Sequence, residues 1–142
     1  MAKGHISIEH ILPQTPDNIY WKDKFQDISD EKMKYYQGTL GNLLLLNQSI
    51  NSSLQNDSFP DKKYVKKDSQ NNIIRQGYSN GSYSEIEVAN YADWTPDTIK
   101  ERGLKLLSFM EKRWNLKFKS DEDKLRLLFL NEEILNEKKT TK

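Results

Sequence analysis

Few residues of this 142-residue chain are equipped for bond-breaking chemistry. There is no cysteine, which removes thiol nucleophiles, disulfides, iron–sulfur clusters and cysteine-held zinc in one step. The two imidazoles, His5 and His10, are too few for a three-histidine zinc site. His10 stands in the run Ile8-Glu9-His10-Ile11-Leu12-Pro13-Gln14 and titrates in the range of a general base. Asn42 and Asn51 are amides at the edges of expected elements. The carbonyl oxygen of Asn51 suits a hard cation such as Mg²⁺, and a place in a first helical turn adds free N–H groups that attract phosphate. A base for water, a cation and a positioned phosphate are what phosphodiester hydrolysis needs. Each residue also has a plain structural alternative: a lone His on an apolar strand face is usually packed core, and an Asn at a helix start is usually a cap.

Such residues act only if elements hold them. Ile6, Ile8 and His10 alternate with Ser7 and Glu9, the period of a half-buried strand that Pro13 closes, with His10 on its apolar face. Residues 14–38 place Tyr20, Trp21, Phe25, Tyr35 and Tyr36 among charges and read as one or two short helices. Gly38 and Gly41 bracket a turn, and residues 43–46, four leucines, suit a buried second strand. A helix is expected from Asn47 or Ser49, with Ile50 and Leu54 toward the strands and Asn51 in its first turn. Pro60 fits the first turn of another helix carrying Lys62, Lys63, Lys66 and Lys67, and residues 69–84 read as loop. Thr95 and Pro96 open the strongest helix, striped by Ile99, Gly103, Leu106, Leu107, Met110 and Trp114, with Trp94 as its packing anchor. Leu125, Leu128, Phe129 and, further on, Leu135 mark a last helix.

The length fits a single domain over 1–142, with a catalytic core at 5–70, supporting helices at 71–137 and a frayed tail at 138–142. No apolar run approaches the roughly 18 residues of a membrane span, and the first residues lack a signal-like stretch, so a cytoplasmic protein without a membrane partner is expected. The net charge of +1 conceals a gradient: residues 100–142 carry twelve basic and eight acidic groups. The Lys62 to Lys67 cluster and the basic groups after Lys100 are either solvated faces or phosphate contacts.

Strand, strand and helix carrying His10, Asn42 and Asn51 resemble the ββα-metal fold of HNH (His-Me finger) nucleases. In that family a His ends the first strand, an Asn opens the second, and nine residues later a His or Asn holds a divalent metal, which here is Asn51. Members with a structural zinc have cysteines where this chain has Asn47 and Ile50, which implies no zinc. A narrower resemblance rests on Glu-His-Ile-Leu-Pro-Gln, Leu-Gly-Asn-Leu, Asn-x-x-x-x-Asn-x-x-Phe-x-x-Lys-Lys and Trp-Thr-x-x-x-Ile-x-x-Arg, spread over residues 5–114. Together these are similar to the C-terminal nuclease domain of GmrSD-type modification-dependent restriction endonucleases and related phage-defence proteins.

The resemblance implies an α+β fold, a ββα-metal core whose two-stranded hairpin is embedded in several α-helices. It implies a metal-dependent DNA endonuclease of the HNH type, with His10 as base activating water, Asn42 supporting its loop, and Asn51 and Glu9 as ligands of Mg²⁺ or Mn²⁺. Lys62, Lys63, Lys66 and Arg102 would meet DNA, and an N-terminal nucleotide-hydrolysing domain would belong to the same, longer protein. In a regular strand Glu9 faces away from His10, so a solvent or supporting role for it stays open. The competing functions are a decayed nucleic-acid-binding module and an RNA-cleaving toxin on the same scaffold.

Overall fold

An alternating strand and a leucine run that lie far apart in sequence pair with each other. In the computed structural model, which describes residues 6–47, 54, 56–115, 117, 118 and 120–130, β1 (Ile6–His10) runs antiparallel to β2 (Leu43–Asn47). His10 sits opposite Leu43, Ile8 opposite Leu45 and Ile6 opposite Asn47. The architecture is mixed α/β, with six α-helices and two two-stranded sheets among the described residues. Of the expected ββα unit, the two strands are present; the helix expected over 47–54 falls on residues 48–53, outside the described ones, and its Leu54 is fully buried.

The buried face of this sheet is the reverse of the one the alternation predicts. Ile6 and Ile8 are 73% and 54% exposed, Leu45 is exposed, and Glu9 is only 3% exposed beside buried Leu44 and Leu46. Because side chains alternate across a strand, one choice of face fixes all of them. Leu44 and Leu46 enter the core, and Glu9, on the same face, finds a buried cationic partner there.

The chain between the strands forms α1 (Ile19–Lys24), α2 (Asp30–Gly38) and a 3₁₀ turn (Leu40–Asn42). Asn18 caps α1 by accepting from the Tyr20 N–H. After β2 come α3 (Phe59–Lys63), capped by Ser58 with Pro60 in its first turn, then β3 (Lys66–Lys67) and β4 (Ile73–Arg75). The predicted lysine helix therefore ends at Lys63, and Lys66 and Lys67 lie on a strand. Part of the expected loop over 69–84 is the second strand of that hairpin, followed by a 3₁₀ turn (Tyr78–Asn80) and the start of α4 (Tyr83–Ala89). Ser82 and Glu85 close a capping box on α4.

Helix α5 (Pro96–Trp114) begins where predicted, with the Thr95 hydroxyl accepting from the Thr98 N–H, and ends at left-handed Asn115. Ile99, Gly103 and Leu107 of its stripe are buried, whereas Trp114 at the far end is exposed. Helix α6 (Asp121–Leu127) follows; Leu128 is buried, Phe129 is exposed, and Leu135 lies outside the described residues. No described helix is long and apolar enough to cross a membrane.

Helix α5 lies directly against the 3₁₀ turn. A β-carbon at Gly41 would collide with the Ile99 carbonyl and come within 2.8 Å of the Gly103 amide nitrogen, so only glycine admits this approach. The other glycine bracketing the turn, Gly38, ends α2 with nothing within 4 Å of an added β-carbon, and no described glycine has positive φ. The two should respond oppositely to alanine: Gly41→Ala is expected to destabilise by about 2–3 kcal/mol through overpacking against backbone. Gly38→Ala should stabilise by about 0.5 kcal/mol through reduced unfolded-state entropy. Urea unfolding of both variants checks the pair, and an equal response would contradict the close approach at Gly41.

Candidate functional site

The segment that follows β1 leaves the sheet and runs into the interior, with Ile11 and Leu12 fully buried. Main-chain groups removed from water need partners there. Five consecutive carbonyls, from His10 to Gln14, each accept a hydrogen bond from a side chain. Lys62 Nζ donates to His10 O at 3.3 Å and to Ile11 O at 3.0 Å. Asn42 Nδ2 donates to Leu12 O at 3.1 Å, and Gln37 Nε2 donates to Pro13 O at 3.0 Å and Gln14 O at 3.2 Å.

Asn42 does more than hold one carbonyl. Its Oδ1 accepts from the Leu12 N–H at 2.8 Å and from the Trp94 indole N–H at 2.9 Å, Nδ2 also donates to Gln37 O, and its backbone carbonyl takes the Ile11 N–H. The residue is wholly buried at the end of the turn that Gly41 lets α5 approach. From α5, Arg102 reaches back to Gly41 O and Leu43 O, both at 2.9 Å, with Nε beside Glu87.

Glu9 anchors the other side. Its Oε2 accepts from Lys62 Nζ at 2.8 Å and from the Tyr78 hydroxyl at 2.6 Å. Lys62 is 0% exposed. Burial lowers its pKa while the Glu9 carboxylate raises it, and burial together with Glu9 pushes the Tyr78 phenol far up. Tyr78 thus stays a proton donor to Glu9.

His10 is half-buried at the end of β1 and lines a cleft of about 360 Å³ with Ile8, Glu9, Pro13, Gln14, Thr15 and Asn56. Desolvation holds the imidazole below its usual value near 6.5; the Glu9 charge pulls it up, and Lys62 pushes it down again. Burial therefore favours the neutral ring, an acceptor facing a polar cleft.

The structure brings His10, Glu9, Asn42 and Lys62 together, while Asn51 lies outside the described residues. It corrects two expected DNA contacts. Lys62 and Arg102 are sealed in the interior by carboxylates and carbonyls, and neither ammonium nor guanidinium offers a surface to a phosphate. Lys63 is half-buried, donating to Tyr91 O at 2.9 Å, and Lys66 remains about half exposed with Asp57 at 3.6 Å.

Among the described residues no group of three His, Asp or Glu side chains is placed to hold a metal ion. Glu9 Oε2 is shared by Lys62 and Tyr78, and the ammonium balances its charge, while the residue also borders the His10 cleft. The roles of Lys62, Tyr78 and Gln37 were missed from sequence. For Lys62 one signal existed, because it stands three residues after buried Phe59 on the same short helix and so shares its inward side.

The amino-acid sequence matches the family described as GmrSD restriction endonucleases, C-terminal domain, over residues 2–109. Neither the curated proteins nor the solved structures contain a significant match.

Two measurements test this geometry. Lys62→Met should cost about 3–5 kcal/mol in urea unfolding, because it strands the Glu9 charge inside. Adding Glu9→Gln should recover part of that, leaving about 1–2 kcal/mol for the two carbonyls that lose their donor. A double variant no more stable than the single one would remove the ion pair as the cause. Second, a depressed folded-state pKa means that the unfolded chain binds the His10 proton more readily. Its contribution to stability is therefore present above about pH 6.5 and is lost as pH falls further. In His5→Gln protein the single remaining imidazole resonance should titrate below 6.5 by NMR, and a midpoint at or above that value would contradict the desolvated placement.

Proposed function

Since the chain belongs to the family of C-terminal domains of GmrSD restriction endonucleases, we propose that it is a DNA endonuclease domain of the HNH type. In this reading His10 is the general base of phosphodiester hydrolysis. The observation that carries it is the half-buried His10 imidazole at the rim of the polar cleft, on main chain held by Lys62, Asn42 and Gln37.

A phosphodiester in the cleft presents phosphorus to a water molecule beside His10. The imidazole takes a proton as the water oxygen bonds to phosphorus, the P–O3′ bond breaks, and the 3′ oxygen leaves to be protonated by solvent, giving 5′-phosphate and 3′-hydroxyl ends. Rigid support matters because a base displaced by an ångström loses most of its advantage. Asn42 acts through the main chain it holds. Asn51 is the ligand this reading assigns to Mg²⁺ or Mn²⁺; when bound, such an ion would stabilise charge on the phosphoryl and leaving oxygens. Lys66 is the phosphate contact retained from the lysine cluster, and Lys63 contributes where its bond to Tyr91 O opens. The family's description as a C-terminal domain supports a longer protein; in this reading an N-terminal nucleotide-hydrolysing domain governs this one, in defence against foreign or modified DNA.

Supercoiled plasmid incubated with Mg²⁺ or Mn²⁺ should be converted to open-circular or linear form, and not when the metal is chelated. His10→Ala should lower the rate by about 10²–10⁴-fold while circular dichroism and DNA affinity stay near those of the parent. Metal-dependent cutting at the parent's rate by this variant would remove His10 from the mechanism. Cutting of RNA in place of DNA would move the substrate to the other nucleic acid.

A further inference from the structure

The β3–β4 hairpin serves no evident purpose in the core. Every residue from Lys66 to Ile74 is exposed, including the consecutive Ile73 and Ile74, yet the hairpin is carefully built. At its tip the Asp68 N–H donates to Asn72 O and the Asn71 N–H to Asp68 O, and Asn71 takes the left-handed conformation at φ 68°. This is the three-residue hairpin loop with an αL residue at its close. The Asp68 carboxylate turns back onto the Gln70 and Asn72 N–H groups, both at 2.9 Å. Its charge is thereby engaged within the turn.

The root is equally fixed. Arg75 on β4 donates to Asp57 Oδ2 at 2.7 Å and to the carbonyls of Asp61 and Tyr64, and Lys66 on β3 approaches the same Asp57 oxygen. Gly77 lies so close to Tyr64 that a β-carbon would sit 2.5 Å from its backbone. Asp57 directly follows Asn56, a wall of the His10 cleft, so the hairpin is rooted in that wall. Four residues from root to tip give a reach of about 13 Å at the strand rise. That exceeds the roughly 8.5 Å depth of the DNA major groove, which admits a two-stranded ribbon.

What the ribbon presents also fits. Lys67 has no partner among the described residues, and Lys66 is half exposed. The exposed side-chain amides of Gln70 and Asn71 are hydrogen-bonded to no described residue, and an amide pairs in two-point fashion with the N6 and N7 edge of adenine. We propose that the β3–β4 hairpin enters the major groove beside the cleaved phosphate, with Gln70 and Asn71 meeting adenine edges and Lys66 and Lys67 meeting the flanking phosphates. This rests on the reading of the chain as a DNA-cutting domain and adds to it the element that biases where the cut falls.

The test compares the parent with Gln70→Ala/Asn71→Gly, which keeps a residue tolerant of positive φ at the tip, and with Lys67→Ala. Plasmid is cut, the ends are sequenced, and affinity for a fluorescein-labelled duplex is measured by anisotropy over a range of salt. The parent should show an adenine bias within about one helical turn of the cut. The double variant should flatten that bias and raise KM roughly a hundredfold, about tenfold for each of the two two-point contacts removed. Lys67→Ala should lower the slope of log affinity against log salt by roughly 0.9, the value for one phosphate. If both variants keep the parent's end distribution, KM and salt slope, the proposal is overturned, and the hairpin then serves a protein partner. Should the parent itself cut no DNA, the endonuclease reading fails first. The anisotropy comparison still decides the groove contact, with weaker binding by the variants upholding it and equal binding ending it.

Discussion

A polypeptide that leaves a two-stranded sheet for the interior carries carbonyls that no strand will satisfy, and the rest of this structure is arranged around that constraint. From His10 to Gln14 the debt is met by three side chains, Lys62, Asn42 and Gln37, from three different elements. Each donor must itself be fixed. Gln37 is set by α2; Asn42 by the turn that α5 approaches through Gly41 and that Arg102 braces; Lys62 by α3, whose Phe59 packs beside Trp94 and Tyr78. The helices far from β1 in sequence thus position its last residue, His10.

The Glu9–Lys62–Tyr78 cluster shows how such a device weighs energetically. Taking both charges out of water costs several kcal/mol, and a buried pair often does little better than apolar residues of equal size. Its value lies elsewhere. The same ammonium that neutralises Glu9 grips the carbonyls on both sides of the turn from strand to interior, so the pairing specifies one face for β1 and one course for the chain after it. His10 is thereby turned outward into the cleft, beside exposed Ile8 and away from the hydrophobic core.

The elements with local signals were legible in sequence. Thr95-Pro96 and the stripe from Ile99 gave the start and buried side of α5, Pro60 gave the start of α3, and the leucine run gave β2. Asn42, expected to support the loop of His10, bonds backbone at Leu12 and Gln37 and also takes the Trp94 indole. The β3–β4 hairpin was not legible, because its strands are two and three residues long and its turn is written in Asp and Asn, which loops share.

By itself the sequence determined which residue types were available. It has two imidazoles and no thiols, it places His10 before a strand-closing Pro13, and it matches a restriction-endonuclease domain family. Only the tertiary structure decided which way those residues face. Alternation states that Ile8 and Glu9 lie on opposite sides of β1, but it is symmetrical about which side is buried, and apolar character alone chooses Ile8. The choice went to Glu9 because Lys62 and Tyr78, 53 and 69 residues away, supply an ion pair and a hydrogen bond in the core. The same distant contacts turned Lys62 and Arg102 from surface cations into internal donors, since a lysine or arginine is placed by the acceptors that surround it and those acceptors are assembled only by the fold.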